Sequence, residues 1–249
     1  MLLDKEHSSL VIKIVAGLVA LAFVGSLVIG VLPSFLSSDS NQGSQTDNTA
    51  EFAERAAELD KALKESPDQP NILYEQGTVY YQWAASLEQS KKFTEATEKY
   101  EKASATLKKS LELQPNADLL GLLGNVSFDW ANVLETLAKK TEADVKFQEA
   151  IDYYQQYLAI NPSNSDVRVD MGIAYFEKGE TESAISHFNQ VIEANPQHVK
   201  AWFNLGFVSS QSGKKEKAIK AWKKYLELES EGPNAEYAKS QLKELEGKK

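Results

Sequence analysis

The feature that most constrains this chain is self-similarity at a fixed period. Met171–Phe176 (MGIAYF) recurs as Leu205–Ser210 (LGFVSS), which sets Gly172 and Gly206 34 residues apart. Ala184 and Ala218 keep the same interval, as do Phe188 and Trp222. A unit of this length buries its apolar face only by stacking on its neighbours, so the period predicts an array of small helical units. Within a unit, Met171 pairs with Tyr175, and Ala184 with Phe188 and Val191, at spacings of three and four. That period gathers side chains on one face of a helix. Lys178–Glu180 (KGE) and Ser212–Lys214 (SGK) supply the glycine-bearing turns between helices, and Pro162 and Pro196 close units.

A second pair of units is longer. Gly77–Trp83 (GTVYYQW) matches Gly124–Trp130 (GNVSFDW), Leu87 matches Leu134, and Thr94–Ala96 matches Thr141–Ala143. Tyr100 with Phe147, Ala103 with Ala150 and Pro115 with Pro162 continue the match at a constant offset of 47. From glycine to alanine these units use 26 residues where the shorter ones use 12, an insertion of 14. Divided between two antiparallel helices, it adds about seven residues, roughly two turns, to each. The chain therefore reads as an all-α domain over residues 50–249, with repeats at about 70–116, 117–164, 165–198 and 199–232. Ahead of them, residues 50–65 carry Phe52, Ala56, Leu59 and Leu63 on a helix that starts the stack. Behind them, residues 235–246 form a helix suited to capping it, because a solenoid must hide its last apolar face.

These residues resemble the tetratricopeptide repeat (TPR) family, a helix-turn-helix unit with a large residue, Leu-Gly, Tyr, Ala, Phe, Ala and Pro at fixed offsets. The third unit offers Met171, Gly172, Tyr175, Ala184, Phe188 and Pro196, with Val191 for the last alanine. The fourth offers Trp202, Leu205, Gly206, Ala218, Trp222 and Tyr225, with Ser209 where tyrosine is usual. The resemblance implies that the first helix of each unit lines a concave groove through its second, fifth, ninth and twelfth positions. Carried onto this chain, those positions include Tyr74 and Tyr81; Asn125 and Phe128; Val169, Ile173 and Phe176; and Lys200, Phe203 and Phe207, with Asn204 beside them. Val169 and Ile173 suit packing between repeats equally well. An aromatic, mostly apolar groove with polar ends fits an extended peptide or a partner helix. The subclass that clamps a chaperone carboxylate is not matched, since Tyr74 and Thr78 occupy its first-repeat Lys and Asn positions, and Val169 and Asp170 stand in the third repeat. The function implied is a non-enzymatic scaffold or adaptor for protein or peptide partners. The alternative is a self-assembling homo-oligomer joined through the long hairpins.

The N-terminal segment differs in kind. Ile14–Ser38 is uncharged, and its heart IVAGLVALAFVGSLVIGVL runs 19 residues before Pro33. At about 1.5 Å per residue this matches a hydrocarbon core of roughly 30 Å. It also exceeds the apolar stretch of about 7 to 15 residues typical of a cleaved secretory signal. The expectation is a short flank (1–13), a transmembrane anchor (14–36) and a flexible Ser/Asn/Gln/Asp-rich linker (37–49). Lys5 and Lys13 precede the anchor and no Lys or Arg follows until Arg55. That bias orients a single-pass protein with its N-terminus cytoplasmic and its repeats extracytoplasmic. Ala22, Ser26 and Gly30 recur every four residues and would let two such helices approach closely. A lone anchor ahead of a cysteine-free TPR domain resembles bacterial envelope proteins.

Composition removes other classes. A net charge of −9 disfavours a general nucleic-acid binder, which needs clustered cations to displace counterions. Without cysteine there is no disulfide, thiolate metal site or cysteine nucleophile. His7, His187 and His198 have no metal-site spacing, and no phosphate loop or serine elbow is present. No cofactor and no metal are expected. Residues 214–249 carry ten lysines against seven acidic residues, and because the two are interleaved they read as a solvated face.

Overall fold

The computed structural model describes residues 49–247, and it is built from ten α-helices. The expected flank, anchor and all but the last residue of the linker lie outside the described residues. No described helix is long and apolar enough to cross a membrane. The helices are α1 (Thr49–Glu65), α2 (Pro70–Gln89), α3 (Phe93–Leu113), α4 (Ala117–Thr136), α5 (Lys140–Ile160), α6 (Ser165–Glu177), α7 (Thr181–Ala194), α8 (Val199–Gln211), α9 (Lys215–Leu228) and α10 (Pro233–Gly247). Helices α2 to α9 form four successive hairpins, each packed on the next, with α1 against α2 and α10 against α8 and α9.

The two long hairpins have helices of 20 and 21 residues, the two short ones 13 and 14. Gly77 is the eighth residue of α2 and Gly172 the eighth of α6, so the seven extra residues of each long helix lie at the turn end of its hairpin. There they add about 10 Å of length.

Each hairpin closes on one glycine of its first helix. A Cβ there would come within 2.5 Å of Leu107 at Gly77, 2.4 Å of Tyr154 at Gly124, 2.6 Å of Phe188 at Gly172 and 2.7 Å of Trp222 at Gly206. The four knobs stand four residues after Ala103, Ala150, Ala184 and Ala218, all of which are fully buried. Tyr100 and Phe147, the bulky pair matched by sequence, lie seven residues before the knobs Leu107 and Tyr154 and pack in the same core.

The turns also differ. Gly179 and Gly213 take the left-handed conformation in the short hairpins (φ 90° and 71°), whereas Lys91 and Ala138 take it in the long ones (φ 59° and 60°). In each case the following N–H donates back to the last turn, Lys92 to Leu87, Lys139 to Leu134, Glu180 to Tyr175 and Lys214 to Ser209, which satisfies a helix-end carbonyl.

Helix α1 is of the second-helix type. Leu59 and Ala62 stand eight and five residues before Pro67, as Phe188 and Val191 stand before Pro196. Its buried Ala56 and Leu59 cover the first hairpin, and Gln76 of α2 donates to Asp60 at 2.6 Å. At the other end α10 buries Ala235 and Ala238 and sets Tyr237 against Phe203, Phe207 and Trp222, with ring centroids 5.8–6.4 Å apart.

Candidate functional site: the concave face

The first helices of the hairpins, α2, α4, α6 and α8, carry the eleven residues singled out by position. The structure divides them into two sets. Five are part of the stack: Tyr81 (7% exposed), Phe128 (4%), Val169 (0%), Phe203 (1%) and Phe207 (8%). Phe128 packs on Phe147 at 5.6 Å, and Phe203 meets Trp222 and Tyr225 edge-on, both at 5.2 Å. At position twelve, side chains also extend contacts to the next repeat. Tyr81 does so through its hydroxyl, and Phe176 through an edge contact with Phe207 at 5.9 Å.

The other six retain accessible surface. Tyr74 is 39% exposed and lines a hollow of about 230 Å³ with Asn71, Ser110, Gln114, Asn116 and Asp118. Ile173 and Phe176 are half-buried on α6. Asn125, also half-buried, accepts from the Tyr154 hydroxyl at 2.8 Å, and Asn204 donates to the Lys200 carbonyl at 2.8 Å. The Lys200 ammonium stands 3.9 Å from Asp166, which is itself 3.4 Å from Nε2 of His198. His198 caps α8, its Nδ1 accepting from the Ala201 N–H at 3.3 Å.

Between these residues lie carboxylates that the sequence positions did not include. Asp129 of α4 is 6% exposed, and its Oδ2 accepts from the Tyr81 hydroxyl at 2.6 Å. Burial pushes its pKa up to about 7, the Tyr81 hydrogen bond opposes that rise, and Glu88 and Asp170 add to it. Asp170 of α6 is also pushed to about 7 by burial, with Lys200 and His198 opposing and Asp166 reinforcing. Asp166 falls below the usual carboxylate range because His198 bonds to it and Lys200 lies beside it. Behind the row, Tyr100 donates to Glu88 at 2.8 Å. Burial raises Glu88, against that hydrogen bond.

One signal in the sequence could have pointed to Asp129: it is an acid between Phe128 and Trp130 in a strongly apolar helix. Nothing local distinguished Asp170, whose environment is assembled from α4, α5 and α8. Chemically the face offers hydroxyls, amides and carboxylates of altered acidity beside aromatic edges. Among the described residues no group of three or more His, Asp or Glu side chains is placed to hold a metal ion.

Similarity to known proteins agrees with this architecture. The family described as the cilia and flagella-associated protein 70 middle TPR-like domain matches residues 134–245. No curated protein matches the chain by sequence. Among solved structures, YrrB, a TPR protein with an unusual peptide-binding site, is similar at 24% identity and a TM-score of 0.55, over 78% of this chain and 86% of that one. MamA is similar at 22% identity and a TM-score of 0.54, over 78% and 97%. TTC0263, a thermophilic TPR protein of Thermus thermophilus, is similar at 15% identity and a TM-score of 0.52, over 78% and 91%. The described residues thus form a TPR solenoid, all-helical from end to end.

Proposed function

We propose that this protein is a scaffold that holds a partner protein, as an extended peptide or a helix, along the concave face of its repeats. The observation that carries the reading is the division of that face. Buried Tyr81, Phe128, Val169, Phe203 and Phe207 fix the first helices, while Tyr74, Asn125, Ile173, Phe176, Lys200 and Asn204 keep apolar edges and polar groups open above them. Rigid aromatic anchors beside register-setting polar groups are what peptide recognition needs. The peptide-binding site of the similar YrrB is consistent with such use of the fold. Residues 14–36 act as the anchor in this reading, holding the repeats at the extracytoplasmic surface of a bacterial envelope, and catalysis has no part in it.

The test is affinity capture from native membranes with the solubilised full chain and a Tyr74→Ala, Phe176→Ala variant. Both side chains are accessible, so the variant should stay helical and cooperative in melting. Partners held by the parent and lost by the variant are the expected result; the same partners on both would move binding off the groove.

Self-assembly is a second reading, favoured by Val145. It is 60% exposed and belongs to the added turns of α5. A mass that rises with concentration in the parent, and not in Val145→Glu, would support it.

A further inference from the structure

The four hairpins match position by position, and the first departs from the others at one corner. Near its C-terminal end the second helix of each carries, in order, Ser110, Tyr157, Val191 and Tyr225, at offsets of 47, 34 and 34 residues. In the second hairpin the Tyr157 ring lies over Gly121 of α4, where a Cβ would stand 3.4 Å from it. Asn164, the N-cap of α6, donates from Nδ2 to the Tyr157 hydroxyl at 2.9 Å. A phenol therefore closes this corner, held between the two helices of one hairpin and the cap of the next. In the third and fourth hairpins the matching pairs, Val169 with Val191 and Phe203 with Tyr225, are buried.

The first hairpin builds the same corner without the ring. Ser110 stands in the place of Tyr157, 1% exposed, its Oγ donating to the Pro70 carbonyl at 2.8 Å. Asn116, the N-cap of α4, stands in the place of Asn164. Its Oδ1 accepts from the Asp118 N–H at 2.8 Å, which leaves Nδ2 to donate. The bulk has moved to the first helix, where Tyr74 takes the position of Gly121. That exchange does not close the corner: Tyr74 is 39% exposed, and with Ser110, Asn116 and Leu119 it lines the hollow of about 230 Å³. In a close-packed stack a side chain smaller by a ring leaves lining atoms short of contacts, which a fitting ring restores.

We propose that this hollow is the socket for a tyrosine side chain of the bound partner, whose ring takes the place that Tyr157 fills in the second hairpin. The proposal rests on the groove reading above and names the side chain received at the α2 end of the groove. The ring packs between Tyr74 and Leu119, in the offset or edge-on contact that aromatic pairs favour. Its hydroxyl accepts from Nδ2 of Asn116, as that of Tyr157 does from Asn164. A phenylalanine fills the same space and forgoes this hydrogen bond. Because the other three hairpins close the corner with their own side chains, the chain has one such socket among its repeats, and a single anchor fixes the register of the segment.

The experiment is saturation-transfer NMR of N-acetyl-tyrosinamide with the full chain in detergent, read against protein-free micelles, with the phenylalanine and alanine analogues alongside. The tyrosine derivative should bind saturably, the phenylalanine one about two- to tenfold more weakly, and the alanine one not at all. Tyr74→Gly with Ser110→Tyr rebuilds in the first hairpin the arrangement of the second. This variant should melt no lower than the parent and lose the binding. Asn116→Ser keeps a capping oxygen and removes the amide, so it should bring the tyrosine derivative down to the level of the phenylalanine one. That comparison decides the matter if the double variant does not fold. Phe176→Ala, two hairpins away, should leave binding of the small probe unchanged. No saturable binding by the parent, or equal binding by the parent and the filled variant, would overturn the socket. If the socket fails in this way while Phe176→Ala still loses the captured partners, the groove stands without it. If the filled variant and Phe176→Ala both keep every partner, both readings fall.

Discussion

The two long hairpins and the two short ones solve the same packing problem with different materials. In α6 to α9 the hairpins close on Phe188 and Trp222, turn through Gly179 and Gly213, and end beneath Tyr237, so the C-terminal half is an aromatic stack. In α2 to α5 the added turns carry Trp83 and Trp130, each covered by a lysine from the second helix, Lys99 at 3.8 Å and Lys146 at 3.9 Å. The indole nitrogens of both tryptophans are buried and make no hydrogen bond, and the turns rest on Lys91 and Ala138 in a conformation better suited to glycine. The buried Tyr81–Asp129 bond and the part-buried Tyr100–Glu88 bond also belong to this half. Of the long hairpins one closes on Leu107 and the other on Tyr154, and polar and cation–π contacts are added to that closure. The short half is expected to be the firmer part of the stack, while the groups of altered acidity are divided between the halves, Asp129 in the long one and Asp170 in the short one.

The largest effect should come from removing the aromatic closure. Trp222→Ala deletes a fully buried indole that touches Gly206, Phe203, Tyr225 and Tyr237. It should cost about 3–5 kcal/mol in urea unfolding. Leu107→Ala at the matching place should cost less, about 2–4 kcal/mol. Equal costs would remove the contrast between the halves.

Next is pH. Asp129 and Asp170 have folded pKa values of about 7, above the unfolded carboxylate range. The folded state therefore binds more protons between roughly pH 4 and 7, and stability falls as pH rises through that window. Between pH 5 and 8 the loss should be on the order of 2–3 kcal/mol for each carboxylate, and Asp129→Asn with Asp170→Asn should flatten the curve. Thermal melts across the range check it; a melting temperature that climbs with pH in the parent would reverse the sign.

The smallest effect concerns the turns. Ala138→Gly relieves a left-handed alanine and should stabilise by about 1 kcal/mol, whereas Gly179→Ala should destabilise by a similar amount. Chemical denaturation of the pair would sharpen the comparison by separating turn strain from core packing.

Much of the fold was legible because a repeat prints its geometry in spacing. The 34-residue interval and its glycine-to-knob pairs are local, and the 14-residue insertion, split evenly, yields helices seven residues longer. The second-helix character of α1 was also written in the distance from Leu59 to Pro67, a match visible once the hairpins are aligned on their prolines. The site was less legible. Position on a helix does not say how far the next repeat advances over it, and so Phe128, Val169, Phe203 and Phe207 are buried while Tyr74 and Phe176 keep free surface. The altered acidity of Asp129 and Asp170 arises from helices distant in sequence, which no spacing within one unit encodes.

The most direct test of the concave-face assignment is hydroxyl-radical footprinting of the full chain with and without its captured partner. Tyr74 and Phe176 should become protected, while Leu113, Val145 and Ile160, which are 43%, 60% and 60% exposed and lie off the groove positions, should react as before. Protection of Val145 and Ile160 with Tyr74 and Phe176 unchanged would contradict it and place the partner on another face of the stack.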